Sequence, residues 1–312
     1  MILIVNLNLA VDHIVEVDEL RAGEVQRSRG AKAVAGGKGV NVARVLKTLG
    51  EPSLLLGFLG GRAGDLIEAG LRAEQIASRC TRVRAESRTC LIINDLKRRA
   101  QTVVNAPGAA VGREEWRDFE ATYARELPRA EFVVITGSLP PSLPADSYAR
   151  LIFQAGEAGA RVLLDCAGEP LERALGARPF LVKINAVEAS ELLDAPIADF
   201  SGAARATRTL RERGALNAMI TLGAAGAVLD FADARYKFAA PRVHALNSVG
   251  SGDAALAGLV AALRRGETAS EAGAFAVAAG AANALHGAGA CSGEEIAELR
   301  PRVVCEAEQL PL

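Results

Sequence analysis

Short apolar runs alternate with longer stretches of helical period along almost the whole chain. The runs at 2–5, 54–59, 132–136, 162–165, 180–184, 218–222 and 227–231 are near-continuously apolar and of strand length. The stretches at 40–49, 63–77, 114–127, 147–158, 201–213, 253–264 and 270–285 repeat apolar residues at helical spacing. Strands without polar alternation are buried on both faces, and the intervening helices are what bury them. The pattern predicts an α/β fold with a mainly parallel central sheet flanked by helices on both faces.

Two segments depart from this rhythm. In 11–33, Val11, His13, Val15 and Val17 alternate with Asp12, Ile14, Glu16 and Asp18, and Val25, Arg27 and Arg29 follow. Segment 88–104 reads as a hairpin with Asn94-Asp95 as its turn. Neither segment has a helical partner. They are expected to form a small β-sheet lid (11–33 and 88–104) on a nucleotide- and substrate-binding core (1–10, 34–87 and 105–312). Ligands of open α/β sheets gather beyond the carboxyl ends of the strands, where a projecting sheet would cover them. The pattern alone serves an ordinary pair of surface hairpins equally well.

Composition narrows the class. Of 312 residues, 50% are apolar but only 4% aromatic, so the core is built from small aliphatic side chains that let helices pack closely. Lys plus Arg is 36 against 37 for Asp plus Glu, a net charge of −1, which argues against a general nucleic-acid or polybasic membrane binder. The chain opens on the strand-like MILIVNLN and contains no bilayer-length apolar run, so a cytoplasmic protein is expected. Cys80, Cys90, Cys166, Cys291 and Cys305 are dispersed without a CxxC, and His13, His244 and His286 stand apart. A disulfide framework or zinc site is not expected.

The strongest chemical signal is Asn247-Ser248-Val249-Gly250-Ser251-Gly252-Asp253-Ala254, which opens an Ala-rich helix. Glycines ahead of a helix let backbone N–H groups converge on an anion, and the helix dipole adds attraction. Asp253 in the first turn serves either as a favourable N-terminal acid or as a base for a hydroxyl attacking a phosphoryl group. A second glycine turn, Ala35-Gly36-Gly37-Lys38-Gly39-Val40-Asn41, also opens a helix. It is not a Walker A loop, because Lys32 stands where the first glycine belongs and Gly39 where Ser or Thr is needed. Seven basic residues between Arg21 and Lys47 (Arg21, Arg27, Arg29, Lys32, Lys38, Arg44, Lys47) face one acid, Glu24, with Arg88 in the other lid segment. That excess suits a phosphorylated ligand or a solvated surface.

Three weaker signals end strands. Thr221-Leu222-Gly223-Ala224-Ala225-Gly226 is either a nucleotide-phosphate turn or a plain hairpin. In Lys183-Ile184-Asn185-Ala186-Val187-Glu188, Asn185 fits a helix cap and Glu188 a water-mediated Mg²⁺ contact. Thr136-Gly137-Ser138-Leu139-Pro140-Pro141 lies where ligands gather, and its prolines also fit a rigid loop.

In this order the motifs resemble the ribokinase-like pfkB family of carbohydrate kinases over nearly the whole chain. AGGKGVNVARVLKTLG is similar to its N-terminal signature and NSVGSGDAALAGLVAAL to its C-terminal one. NLNLAVDHIVEVDELRAGEV, SRTCLIIND, TGSLPPSLPADSYARLI, DCAGEPLERAL and RPFLVKINAVEASELL resemble the 1-phosphofructokinase and tagatose-6-phosphate kinase branch. The resemblance implies ATP and Mg²⁺ as cofactors, a sugar phosphate as partner, and a homodimer through the lid. It implies Asp253 as catalytic base with Gly250, Ser251 and Gly252 as anion hole. Asp12, Gly37, Lys38, Asn41, Arg88 and Ser138 match the sugar side. Lys183, Asn185, Glu188, Thr221, Gly223 and Gly226 match the nucleotide and Mg²⁺ side, and Asn283 the adenine pocket.

The branch has Asn-Pro where this chain has Asn8-Leu9, Lys-Pro-Asn at Lys183-Ile184-Asn185, and Pro-Pro-Gly at Pro140-Pro141-Ser142. Each lost proline loosens a loop by about 1 kcal/mol, which leaves the chemistry in place but bears on the sugar. The expected reaction is phosphorylation of fructose 1-phosphate to fructose 1,6-bisphosphate, with tagatose 6-phosphate and fructose 6-phosphate next. A dinucleotide-dependent oxidoreductase needs GxGxxG directly after the first strand, and Asn6-Leu7-Asn8-Leu9 stands there. A degenerate, non-catalytic sugar-phosphate sensor is the other alternative.

Overall fold

A computed structural model describes residues 1–98, 100–232, 234–287 and 289–310. Residue 99 of the second lid segment and residues 233, 288, 311 and 312 of the expected core lie outside the described residues. The central sheet has ten strands. Across it run β14 (Val304–Gln309), β13 (Ala234–Ala239), β12 (Gly226–Phe231), β11 (Asn217–Thr221), β10 (Leu181–Asn185), β9 (Arg161–Asp165), β8 (Phe132–Thr136), β1 (Ile2–Asn6), β4 (Ser53–Gly60) and β5 (Thr81–Val83). From β11 to β5 every neighbouring pair is parallel; β11 to β14 is an antiparallel meander.

Alternation within the strands divides the apolar interior in two. Ile2 and Ile4 of β1 face one side with α1 (Lys38–Thr48), α2 (Gly61–Ala73), α8 (Ser251–Arg264), α9 (Ala269–Ala284) and α10 (Gly293–Leu299). Leu3 and Val5 face the other with α3 (Arg113–Glu126), α4 (Ser147–Glu157), α5 (Glu169–Leu175), α6 (Ala186–Leu193) and α7 (Phe200–Glu212). Both layers are needed because the strand side chains are buried on both faces. The scarcity of aromatics has its counterpart in α8 and α9. A Cβ on Gly258 of α8 would lie 2.9 Å from Ala279 Cβ and 3.3 Å from the Phe275 carbonyl of α9, so the two backbones approach as closely as small residues allow.

A second sheet has the order β3 (Gly30–Gly36), β2 (Ala10–Val17), β6 (Arg88–Asp95) and β7 (Ala100–Val104). β2 starts at Ala10 and β3 runs on to Gly36, so this sheet leads without a break into α1. The turn expected at Asn94-Asp95 lies further on. Both residues belong to β6, opposite Gln101 and Ala100, and the Asp95 carboxylate accepts from the N–H groups of Leu20 (3.0 Å) and Arg98 (2.8 Å). Asp95 stabilises the bend rather than making it.

Candidate active site

The second glycine turn comes off β3. Gly37 stands before α1 at φ 111, a region that L side chains rarely adopt, and a Cβ there would meet Asn6 Oδ1 at 2.7 Å. The Gly39 N–H donates to the same Asn6 oxygen at 3.0 Å. Asn6 thus ties the carboxyl end of β1 to the first turn of α1, which carries Lys38 and Asn41.

α8 starts beside it. Gly250, in the left-handed region, precedes the helix, and no side chain caps it. The Ser251 N–H reaches Ser248 O (3.1 Å) and the Ala254 N–H reaches Gly250 O (2.8 Å). Among the described residues, the N–H groups of Gly252 and Asp253 have no acceptor. Two open donors at a helix N-terminus are an anion site in waiting.

The two turns meet directly. Asn41 Nδ2 donates to Asp253 Oδ2 at 2.8 Å, across 212 positions of sequence. Asp253 is 6% exposed, and burial pushes its carboxyl up to about 6; Lys38, the Asn41 hydrogen bond and Lys183 oppose that rise, and Asp165 adds to it. Lys38 Nζ lies 2.6 Å from Asp165 Oδ1 and 3.2 Å from Glu188 Oε1. Burial works against its charge, but Asp165, Glu188 and Asp253 outweigh it and hold the ammonium above its usual range. Asp165, fully buried at the end of β9, places its other oxygen 2.5 Å from Lys183 Nζ. Burial would raise that carboxyl, but the two ammonium groups keep it below the ordinary carboxylate range.

On the small-sheet side, the Asp12 carboxylate lies against Gly36, in the space a Cβ would take. Burial raises its pKa against the pull of Arg88, Arg44 and His13. Arg88 donates to the carbonyls of Asn8 (3.1 Å) and Ala106 (3.3 Å), and Asn8 Nδ2 donates to Ser138 Oγ at 2.9 Å. On the other side, Thr221, Gly223, Gly226, Ser251, Gly252 and Gly280 line a cavity of about 440 Å³. A larger one, about 820 Å³, opens beside Arg178, Arg211 and Leu216 at the amino end of β11 and contains none of the residues singled out from sequence. Chemistry, not size, selects the smaller cavity.

Several expectations change in detail. Asn185 caps α6: its Oδ1 accepts from the Glu188 N–H (2.9 Å) while Glu188 Oε2 accepts from the Asn185 N–H (3.0 Å), so its side chain is engaged away from the cavity. Lys183 lies beneath the α8 turn, its Nζ 2.9 Å from where a Cβ of Gly252 would be. Asn283 is fully buried and, among the described residues, is not part of the cavity lining. It donates to Val249 O (2.9 Å) and Ser251 Oγ (3.1 Å) and accepts from the Gly289 N–H (2.7 Å), bracing the α8 turn from behind. The basic excess of 21–47 is largely spent locally. Arg21 pairs with Glu24, Arg29 with Asp18 and Arg44 with Glu74, and Lys47 donates to the Glu74 carbonyl. Asp165 and Asn6 were missed from sequence. Each sits where a buried strand ends in a polar residue, a signal present in LLD and IVN but indistinct without the fold.

A turn with open N–H groups and a carboxylate thus meets a lysine-bearing turn beside a cavity of about 440 Å³, an arrangement suited to phosphoryl transfer. The sequence profile of the "pfkB family carbohydrate kinase" matches residues 2–295. A 1-phosphofructokinase of Bacillus subtilis (strain 168) is 34% identical over 285 residues, 91% of this chain and 93% of that protein. One of Xanthomonas campestris pv. campestris is 38% identical over 263 residues, 83% of each. The tetrameric inhibited form of phosphofructokinase-2 from Escherichia coli superposes with a TM-score of 0.89 at 25% identity, over 96% of this chain and 98% of that one. The chain belongs to the pfkB family of carbohydrate kinases, in its 1-phosphofructokinase branch, and is a sugar kinase with a ribokinase-like fold.

Proposed function

We propose that the protein transfers the terminal phosphoryl group of ATP to a ketohexose phosphate, and that fructose 1-phosphate, giving fructose 1,6-bisphosphate, is the substrate. The observation that carries this reading is the contact of Asn41 with Asp253 beside the two open N–H groups of the α8 turn. Asp253 accepts the proton of the attacking hydroxyl, whose oxygen bonds to phosphorus as the bond to the ADP oxygen breaks. With its carboxyl at about 6, it is ionised at neutral pH yet basic enough to take that proton. The donors of Gly252 and Asp253, with Gly250 and Ser251 shaping the turn, hold charge on the moving group. Lys38 leaves its two acidic partners to meet incoming phosphate. Asp12, Gly37, Asn41, Arg88 and Ser138 surround the sugar; Thr221, Gly223 and Gly226 border the nucleotide.

Among the described residues, no three His, Cys, Asp or Glu side chains cluster as a metal cage. That fits Mg²⁺, which is held by nucleotide phosphates and water with one or two carboxylates nearby, here Glu188. When bound, Mg²⁺ offsets the charge of the phosphates during transfer. The second sheet (β2, β3, β6, β7) serves as the lid of the domain scheme, excluding water as a competing acceptor. Its exposed Leu91, Val103 and Val104 support a homodimer through the lid. Among the described residues no helix is long and apolar enough to cross a membrane, in keeping with a cytoplasmic site of action.

The test is ATP turnover across fructose 1-phosphate, tagatose 6-phosphate, fructose 6-phosphate and unphosphorylated sugars. The highest kcat/KM is expected for fructose 1-phosphate. Preference for either other hexose phosphate corrects the sugar, and sugar-phosphate binding without turnover establishes the sensor instead.

A further inference from the structure

Four neighbouring strands carry a row of polar residues across one face of the sheet, at or near their carboxyl ends. Val5 pairs with Ile135, which brings Asn6 of β1 beside Thr136 of β8 at the next step. Thr136 pairs with Asp165 of β9, and Asp165 bonds Lys183 of β10. The residues two before each (Ile4, Val134, Leu163 and Leu181) all belong to the apolar layer beneath α1 and α8, so the row points toward the two glycine turns. Its charged half, Asp165 and Lys183, lies under Lys38 and Gly252.

Its neutral half is unfinished. Asn6 is 1% exposed and Thr136 is fully buried, yet among the described residues Asn6 Nδ2 and Thr136 Oγ1 have no hydrogen-bond partner, whereas Asn6 Oδ1 holds the Gly39 N–H. The Nδ2 atom lies 3.0 Å from where a Cβ of Gly137 would be. Asn6 therefore stands between the turn that carries Lys38 and the turn that carries Ser138. Unpaired buried polar groups weaken a fold, and an apolar side chain of the same shape avoids that loss. Their presence under a site calls for a task in that site.

We propose that Asn6, with Thr136 beside it, is a positioning residue for the acceptor side. Asn6 fixes the Gly37–Gly39 turn through Oδ1. Its free amide hydrogens and the Thr136 hydroxyl serve the Gly137-Ser138 turn when the sugar phosphate is bound. Neither side chain touches the reacting atoms; both act through the turns that do. This rests on the reading of the cleft as a sugar-phosphate kinase and identifies what sets its acceptor affinity.

The experiment compares wild type, Asn6→Leu, Asn6→Asp and Thr136→Val. Two readouts are used: steady-state kinetics, and thermal shift on adding fructose 1-phosphate or ATP separately. Asn6→Leu is expected to raise the acceptor KM about tenfold while the ATP KM stays within about twofold, and to lose the sugar-phosphate shift but keep the ATP shift. Asn6→Asp keeps the oxygen that holds Gly39 and is expected to recover part of the acceptor shift. Thr136→Val is expected to weaken the acceptor shift with an unchanged or higher Tm, because it removes an unpaired hydroxyl. Equal losses toward both ligands with a lower Tm, or no loss in Asn6→Leu, overturns the proposal. If wild type transfers no phosphoryl group, the kinase reading fails by itself, while the two shifts still decide the role of Asn6.

Discussion

The two glycine turns use one local device to opposite ends. α1 and α8 both start after a glycine at positive φ, and neither has a side-chain cap. Each is braced by a buried asparagine, Asn6 under the first and Asn283 behind the second. They differ in the charge they present. The α1 turn offers the ammonium of Lys38 and the amide of Asn41; the α8 turn offers open N–H groups and the carboxylate of Asp253. A glycine turn at a helix N-terminus is thus a mount whose charge is set by the side chains placed in its first turn. Two mounts of opposite sign, face to face, make a site that one cannot.

The comparison breaks most sharply at Asp253. Asp253→Asn keeps the shape and removes the base, so kcat should fall by about 10²–10⁴ with ATP affinity retained; a loss under about tenfold in steady-state assays removes Asp253 from that role. A stability gain should accompany it. The folded-state pKa of Asp253 is raised, so the folded protein holds a proton that the unfolded chain releases between about 4 and 6. Its ionisation above that window costs stability. Asp253→Asn should therefore melt higher than wild type at pH 8, by up to about 2 kcal/mol, and match it more closely at pH 4.

Lys38→Met tests the opposite mount. Lys38 helps keep the Asp253 carboxylate ionised, so without it the acid limb of kcat/KM, expected near pH 6, should move to higher pH. An unmoved limb means the two turns do not share a field. The smallest effect belongs to the brace. Asn283→Ala leaves the Val249 carbonyl and the Gly289 N–H without their partner and should cost about 1–3 kcal/mol in denaturant unfolding.

How much of this was legible depended on whether the deciding contact is local. Apart from the three-residue β5, the strands of the parallel region and the helices α1 and α8 were readable, because apolar runs and glycines before a helical period carry their own cause. The strand β14 was not: all six of its residues are exposed, and only pairing with β13 makes it a strand. The Asn94-Asp95 turn was misplaced because an Asp that holds a bend looks, in one dimension, like an Asp that makes one. In the candidate site, the glycines singled out the turns of Asp253, Lys38 and Asn41, which the structure brings together. Asn283 came to the adenine pocket only through the family resemblance, and nothing in an Ala-rich helix tells which way its one amide points. Asp165 and Asn6 were indistinct, since Lys38 lies 127 positions from the first and Gly39 33 from the second.

The close seating of α8 on α9 through Gly258 has a mechanical consequence. Asp253 rides on the first of these helices, and Gly280 of the second lines the cavity of about 440 Å³ beside the α8 turn. At this contact only methyl groups such as those of Ala279 and Ala255 lie between the backbones, which leaves the two helices little room to slide and keeps Asp253 in register with that cavity. On the proposed reading, alignment then falls to the acceptor side, and the small sheet is the part expected to move over it.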